Sequence, residues 1–183
     1  VMDTSAVEID FDSAGICNYC REFESGLQAR ERGGPAGDPA ALERLVHQIK
    51  DRGKGKQYDC IQGVSGGADS SWALVQAVDL GLRPLAVHMD NGWNSELAQH
   101  NIHALVNSLG VDLHTYVIDW PEYRGLMQAF FDADVIDIEL LYDNAMAAVN
   151  FSSARRYGLR YMLSGSNTAT EGLRIPPSWN HFK

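Results

Sequence analysis

Ile61-Gln62-Gly63-Val64-Ser65-Gly66-Gly67-Ala68-Asp69-Ser70-Ser71-Trp72 is the stretch from which the rest of this chain is read. Tyr58 to Val64 is an apolar run with Cys60, Ile61 and Val64, which predicts a buried strand. Ser-Gly-Gly follows, and then a helical pattern with Trp72, Leu74, Val75 and Val78. Strand, glycine turn and helix N-terminus together form a geometry that binds phosphate. The glycines let the backbone approach the anion, and the first helical turn offers N–H groups and a positive dipole end. Asp69 or Ser70 is placed to cap that helix.

The Walker pattern needs a Gly-Lys pair that is absent here, and Gly-x-G-x-x-Gly is absent too. Ser65 to Ser70 instead reads Ser-Gly-Gly-x-Asp-Ser, which resembles the pyrophosphate loop of the ATP pyrophosphatases. A turn that merely happens to be rich in Ser and Gly is the competing reading.

The chain has 183 residues, 45% hydrophobic, which suits one α/β domain with a small appendage. Its net charge of −9, without a Lys/Arg-rich block, argues against a general nucleic-acid binder. An anionic small substrate stays open, because local sign matters more than the total. No apolar run approaches the roughly 20 residues that span a bilayer, and no secretory signal is visible. Three cysteines, two in Cys-x-x-Cys, do not make a disulfide framework, so a reducing cytoplasm is expected. The chain opens at Val1 and stops at Lys183 without an ending signature, so both ends are expected to be cut short.

Residues 1–25 read as a small Cys-containing module, with a short strand over Val7–Phe11 and a turn at Asp12–Gly15. Cys17 and Cys20 could supply half of a tetrahedral zinc site, the other pair lying before Val1. A redox dithiol and two ordinary cysteines are the alternatives. Residues 26–56 read as a linker over Gly26–Pro39 and then a helix, with Asp38 as N-cap and Pro39 first in the helix. Leu42, Leu45, Val46 and Ile49 share its apolar face.

Residues 57–183 alternate strand and helix, which implies a parallel sheet of Rossmann-like type. Pro84–Met89 is the second strand, ending in Asp90-Asn91-Gly92-Trp93. Asp90 and Asn91 could hold a ribose or an adenine edge and Trp93 could cover a ring, or this is a plain Asx-Gly turn. His88 is a candidate ligand or base, although a lone strand histidine is more often structural. A helix from Asn94 buries Leu97, Ile102, Leu105, Val106 and Leu109. Leu113–Ile118 is a third strand, and Pro121 starts the next helix.

The acidic residues Asp132, Asp134, Asp137, Glu139 and Asp143 are interleaved with apolar ones, which predicts a half-buried stretch. Such carboxylates could hold Mg²⁺ or a substrate, or form a solvated face. After a helix over 145–157 and a strand over 159–163, Ser164-Gly165-Ser166-Asn167-Thr168-Ala169-Thr170-Glu171-Gly172 is a second small-polar loop that could close the nucleotide site.

Taken together, the chain resembles the N-acetyl sugar amidotransferases, a family of ATP pyrophosphatases that make acetamidino sugars for bacterial surface polysaccharides such as lipopolysaccharide. The resemblance rests on Val1-Met2-Asp3-Thr4, Gly15-x-Cys17-x-x-Cys20, the Gly63–Ser71 loop and Asp90–Asn94. It rests further on Asp137-x-Glu139-Leu140-Leu141-x-Asp143-Asn144-Ala145 and the Ser164–Gly172 loop. It implies the adenine nucleotide alpha hydrolase fold with a partial zinc-ribbon module, and ATP, Mg²⁺ and structural Zn²⁺ as cofactors. The triphosphate falls to Val64, Ser65, Gly66, Gly67, Asp69, Ser70 and Ser71, with Ser65, Asp69 and Ser70 catalytic. The nucleoside falls to His88, Asp90 and Asn91, while Gly165, Ser166 and Asn167 close the site. The substrate side is given Trp93, Asp137, Glu139, Asp143, Asn144, Thr170 and Glu171. Implied partners are a nucleotide-linked N-acetyl sugar and a separate glutaminase of the histidine-biosynthesis type delivering ammonia through a barrel subunit; a homodimer is possible. Rival readings are a tRNA-modifying thiolase or lysidine-type ligase of the same superfamily, and a non-catalytic ATP- or AMP-binding module.

Overall fold

The computed structural model describes residues 2–33, 38–135, 137–167 and 171–179. The chain divides into two compact units, Leu45–Ser166 and a smaller one of Val1–Arg44 with Asn167–Lys183.

The larger unit is built on four parallel strands: β1 (Cys60–Gly63), β2 (Pro84–Asp90), β3 (Leu113–Val117) and β4 (Met162–Leu163). Their order is β3-β2-β1-β4, with Ile61 opposite Leu85 and Met162, and Val87 opposite His114. The chain therefore steps outward from β1 to β3 and then returns to the other side of β1. Strand order reverses between β1 and β4, and a crevice at the C-terminal ends of those strands is where such sheets bind ligands.

Helices cover both faces, as parallel strands require. Period-two alternation assigns the side chains. Ile61, Leu85, Val87 and Met89 pack against Val149 and Ala154 of α6 (Glu139–Arg156). On the opposite face, Val64 and Ala86 meet Leu74 of α3 (Ala68–Asp79) and Ile102 and Val106 of α4 (Glu96–Leu109). Cys60 meets Ala77 and, from α2 (Pro39–Gly53), Val46 and Ile49. Asp38 Oδ1 accepts the Ala40 amide at 2.9 Å, the expected cap. α5 (Trp120–Asp132) follows β3, capped by Asp119 Oδ1 on the Glu122 amide at 3.0 Å.

Several expected burials fail. Leu97 is 69% exposed because it lies off the Ile102–Val106 face, and Trp72 is 65% exposed while Leu74 and Ala77 fill the core. Leu42 and Leu45 are exposed as well; only the second half of α2 reaches the sheet core. β4 is shorter than the predicted strand, since the Leu159 amide donates to Ala154 O at 2.8 Å and finishes the turn after α6.

In the smaller unit, α1 (Asn18–Gly33) occupies much of the expected linker. Gln28, Ala29, Arg30 and Glu31 are good helix formers that outweigh Gly26. The expected strand over Val7–Phe11 is only a bridge between Phe11 and Cys17. Side chains take the backbone groups a ladder would use: Asn18 Oδ1 accepts the Asp10 amide and its Nδ2 donates to Glu8 O. Asp12 Oδ1 accepts the Ala14 and Ile16 amides, both at 2.9 Å, which makes the predicted turn. Segment 171–179 is held to this unit by Arg174 to Glu22, the Ser178 amide to Glu8 and Trp179 Nε1 to Ser5.

Candidate functional site

The loop after β1 is a cradle of serine hydroxyls. Ser65 Oγ and Ser70 Oγ are 3.0 Å apart, the Ser65 amide donates to Ser70 Oγ at 3.2 Å, and the Gly67 amide donates to Ser65 Oγ at 3.3 Å. Ser71 Oγ donates to Gly67 O at 2.7 Å. The cap of α3 is Gly67 itself, without a side-chain cap bond, so neither Asp69 nor Ser70 caps the helix as expected. The serines tie the turn together instead, and Asp69 stays exposed in the first turn.

Two neighbours hold the loop. Gly66 has φ +80°, and a Cβ on it would stand 2.4 Å from Ala98 O of α4. Asn101 Nδ2, also on α4, donates to Gly66 O at 3.2 Å. From the β4 side, Gly165 packs so closely that a Cβ would stand 2.6 Å from the Ser70 amide nitrogen. Ser164 and Ser166 share a hydroxyl bond of 2.8 Å beside it. Gly165 is thus brought to the Ser65–Ser71 loop at the switch point, with Ser166 next to it in the chain. Asn101 carried no sequence signal, because a polar residue on a helix reads as surface.

His88 is buried, and it links the loop to β2. Its Nδ1 is 3.0 Å from Val64 O. Asn94 Nδ2 lies 3.3 Å from His88 Nε2 and donates to Asp90 Oδ1 at 3.0 Å. An amide nitrogen only donates, so Nε2 accepts and Nδ1 carries the proton to Val64 O. Asp90 Oδ1 also accepts the Gly92 amide at 2.9 Å, and Asn91 Oδ1 accepts the Trp93 amide at 3.0 Å. Asp90 and Asn91 therefore build Asx turns, the plainer of the two readings, at the C-terminal end of β2. Trp93, 65% exposed, meets Trp120 edge-on at 5.7 Å.

The acidic stretch departs from expectation. Asp132, Asp134, Asp137, Glu139 and Asp143 are all exposed, because α6 starts at Glu139 and turns Leu141, Tyr142 and Ala145 inward while the carboxylates face out. Asn144 is exposed too, bonded to Leu140 O. No cluster of three metal-ligating side chains occurs among the described residues. Thr170 lies outside the described residues. Asn167 and Glu171 belong to the smaller unit, where the Glu171 amide donates to Asn167 O at 2.8 Å.

Also in the smaller unit, Cys17 and Cys20 place their sulfurs 3.4 Å apart. Burial raises the Cys17 thiol, but the Cys20 amide, the Cys20 thiol and the Tyr19 amide outweigh it and hold Cys17 below the usual value. Cys20 is pushed up, first by its bond to Cys17 and then by burial. Cys60 is buried in β1, and burial raises its thiol to about 12. No described helix is long and apolar enough to cross a membrane.

No family model and no curated protein sequence matches this chain. Solved structures do. Glutamine-dependent NAD+ synthetase from Acinetobacter baumannii in complex with ADP superposes with a TM-score of 0.56 at 22% identity, covering 73% of this chain and 26% of that one. NMN synthetase from Francisella tularensis gives 0.51 at 22% identity, covering 72% and 56%. NH3-dependent NAD synthetase from Campylobacter jejuni subsp. jejuni NCTC 11168, in complex with the nitrate ion, gives 0.51 at 15%, covering 69% and 56%. The chain thus spans between about a quarter and just over half of the length of these proteins. What the likeness establishes is the fold: a parallel, Rossmann-like α/β sheet of the adenine nucleotide alpha hydrolase type.

Proposed function

We propose that the chain is the ATP-binding part of an ATP-dependent amidotransferase that converts the N-acetyl group of a nucleotide-linked sugar to an acetamidino group. The observation that carries this is the Ser65–Ser71 cradle at the switch point, closed by Gly165. Similar solved structures named as a glutamine-dependent NAD+ synthetase in complex with ADP and an NH3-dependent NAD synthetase support the coarser part of the reading. The sugar is supported by the resemblance of the Asp137–Ala145 and Ser164–Gly172 segments.

The first-turn amides of α3 and the hydroxyls of Ser65, Ser70 and Ser71 would receive the triphosphate. Asp69 adds a hard oxygen donor, which suits the Mg²⁺ that accompanies it. The amide oxygen of the acceptor attacks the α-phosphorus, and the bond to pyrophosphate breaks. Ammonia then adds to the imidate carbon and loses a proton. The carbon–oxygen bond to AMP breaks, leaving the amidine. Such a protein contributes position and charge neutralisation.

A partner glutaminase with a barrel subunit would supply the ammonia, and the chain would work in the cytoplasm, as a homodimer in this reading. For zinc, the two sulfurs form one edge of a tetrahedron whose edge is about 3.8 Å at the usual Zn–S distance. Their 3.4 Å separation is shorter than that edge, so a bound zinc would have to draw the sulfurs about 0.4 Å apart.

The test is turnover with ATP, Mg²⁺, ammonium and a panel of nucleotide-linked N-acetyl sugars. AMP, pyrophosphate and a sugar in which NH replaces oxygen are expected. ADP, or no product with any sugar, would remove the reading.

A further inference from the structure

A cavity of about 420 Å³ lies within the larger unit between β3, α5 and α6. Its size falls in the roughly 300–1,000 Å³ of small-molecule sites. None of its lining comes from the phosphate cradle. We propose that this cavity binds the acceptor: a sugar ring with free hydroxyls and an acetamido group, linked to a phosphate carrier. The proposal rests on the function proposed above.

Three observations set that chemistry. The end of the cavity at the C-terminus of β3 carries Asp119 and Glu122. Carboxylates accept from sugar hydroxyls and repel a triphosphate, so this is an acceptor subsite and not a second nucleotide cradle. The walls are apolar, with Ile118, Leu126 and Leu141, which suits an acetyl methyl and the C–H face of a pyranose. The other end carries Arg156, whose guanidinium sits 5.8 Å above the Tyr157 ring and so offers a held cation to a carrier phosphate.

The position agrees. Trp120, next to Asp119, is 42% exposed and packs on Trp93 in the loop after β2. Gly92 lies against Trp120, and its amide is bonded to Asp90, which connects through Asn94 and His88 to Val64 at the cradle. From β3 to β1 is two strand spacings, about 10 Å. Asp119 follows the C-terminal end of β3, so an acetamido group rising past it emerges at the C-terminal end of the sheet, the end from which the Ser65–Ser71 loop also leaves β1. The exposed Trp93 and Trp120 rings give a sugar two aromatic faces on the way.

Calorimetric titration of the whole protein, with nucleotide-linked N-acetyl hexosamines (UDP-N-acetylglucosamine first) and separately with ATP, tests this. Ala148 lines the cavity and is exposed on α6, so Ala148→Phe fills the space without entering the core. Glu122→Gln removes a charge without changing shape. Both variants are expected to weaken sugar binding about tenfold or more and to leave ATP affinity unchanged. Sugar binding that survives in both variants would overturn the cavity assignment, and so would no binding of any panel member to the parent protein. Sugar that binds and is displaced by Ala148→Phe, yet is never converted, would leave the cavity assigned and remove the amidotransferase reading instead.

Discussion

At Gly165 the backbone comes so near the Ser70 amide that no side chain fits between them, and that amide belongs to the first turn of α3, the helix proposed to receive the triphosphate. A methyl group there would displace the turn or cover the N–H that should face an anion. Gly165→Ala is expected to lower ATP affinity by about tenfold or more, while the melting temperature moves by only a few degrees. Calorimetry and thermal unfolding together check this; unchanged ATP binding would take the β4 loop out of the site. Residue-level chemistry also separates the serines from Asp69. The serines are already bonded within the loop and shape it, whereas the Asp69 carboxylate stands exposed.

Among elements, the junction of α2, β1 and β2 depends on one ion pair. Asp59 is buried just before β1, and its two oxygens accept from Arg83 Nη2 at 2.6 Å, Nε at 3.2 Å and the Arg83 amide at 2.9 Å. Arg83 also donates to Gly53 O and Lys56 O, so a single side chain ties the end of α2 to the start of two strands. Bidentate, charge-assisted bonds of this kind are the stronger sort. Asp59→Ala is expected to cost about 2–3 kcal/mol by urea unfolding, because it leaves those donors without their acceptor. Arg83→Met removes the half-exposed partner and is expected to cost about the same, because Asp59 is then buried alone. A loss below about 0.5 kcal/mol in both would show that the junction is held by packing alone.

For the whole molecule, two buried acids predict how stability changes at alkaline pH. Burial, with the bond to Asp112 second, raises the Tyr58 phenol from 10.0 to about 12; burial raises the Cys60 thiol from 9.0 to about 12. Each favours its neutral form in the fold, so its contribution is complete below its unfolded value and lost as pH climbs through about 12. These two groups leave the urea midpoint unchanged up to pH 9.0 and lower it from there towards about 12, and Tyr58→Phe should lessen the fall above 10.0. A midpoint constant across that range would contradict the burial of both groups.

What the sequence alone determined here was local. The strand-glycine-helix order of Tyr58–Val78, the Asp38-Pro39 helix start and the turn at Asp12 depend on neighbours within a few residues, and all three stand in the structure. The parallel α/β class followed from the alternation of such local patterns. The tertiary structure decided what depends on residues far apart in the chain. It turned Leu97, Trp72 and the acidic stretch outward, since a helix's buried face is set by what packs on it. It placed Gly165 against Ser70 and Asn101 on Gly66, and it passed a hydrogen-bond chain from Val64 through His88 and Asn94 to Asp90. Short-range periodicity records which residues favour a strand or a helix. Only the folded chain brings residues far apart in sequence into contact, and it is such contacts that hold the cradle against Gly165 and Asn101 and enclose the cavity between β3, α5 and α6.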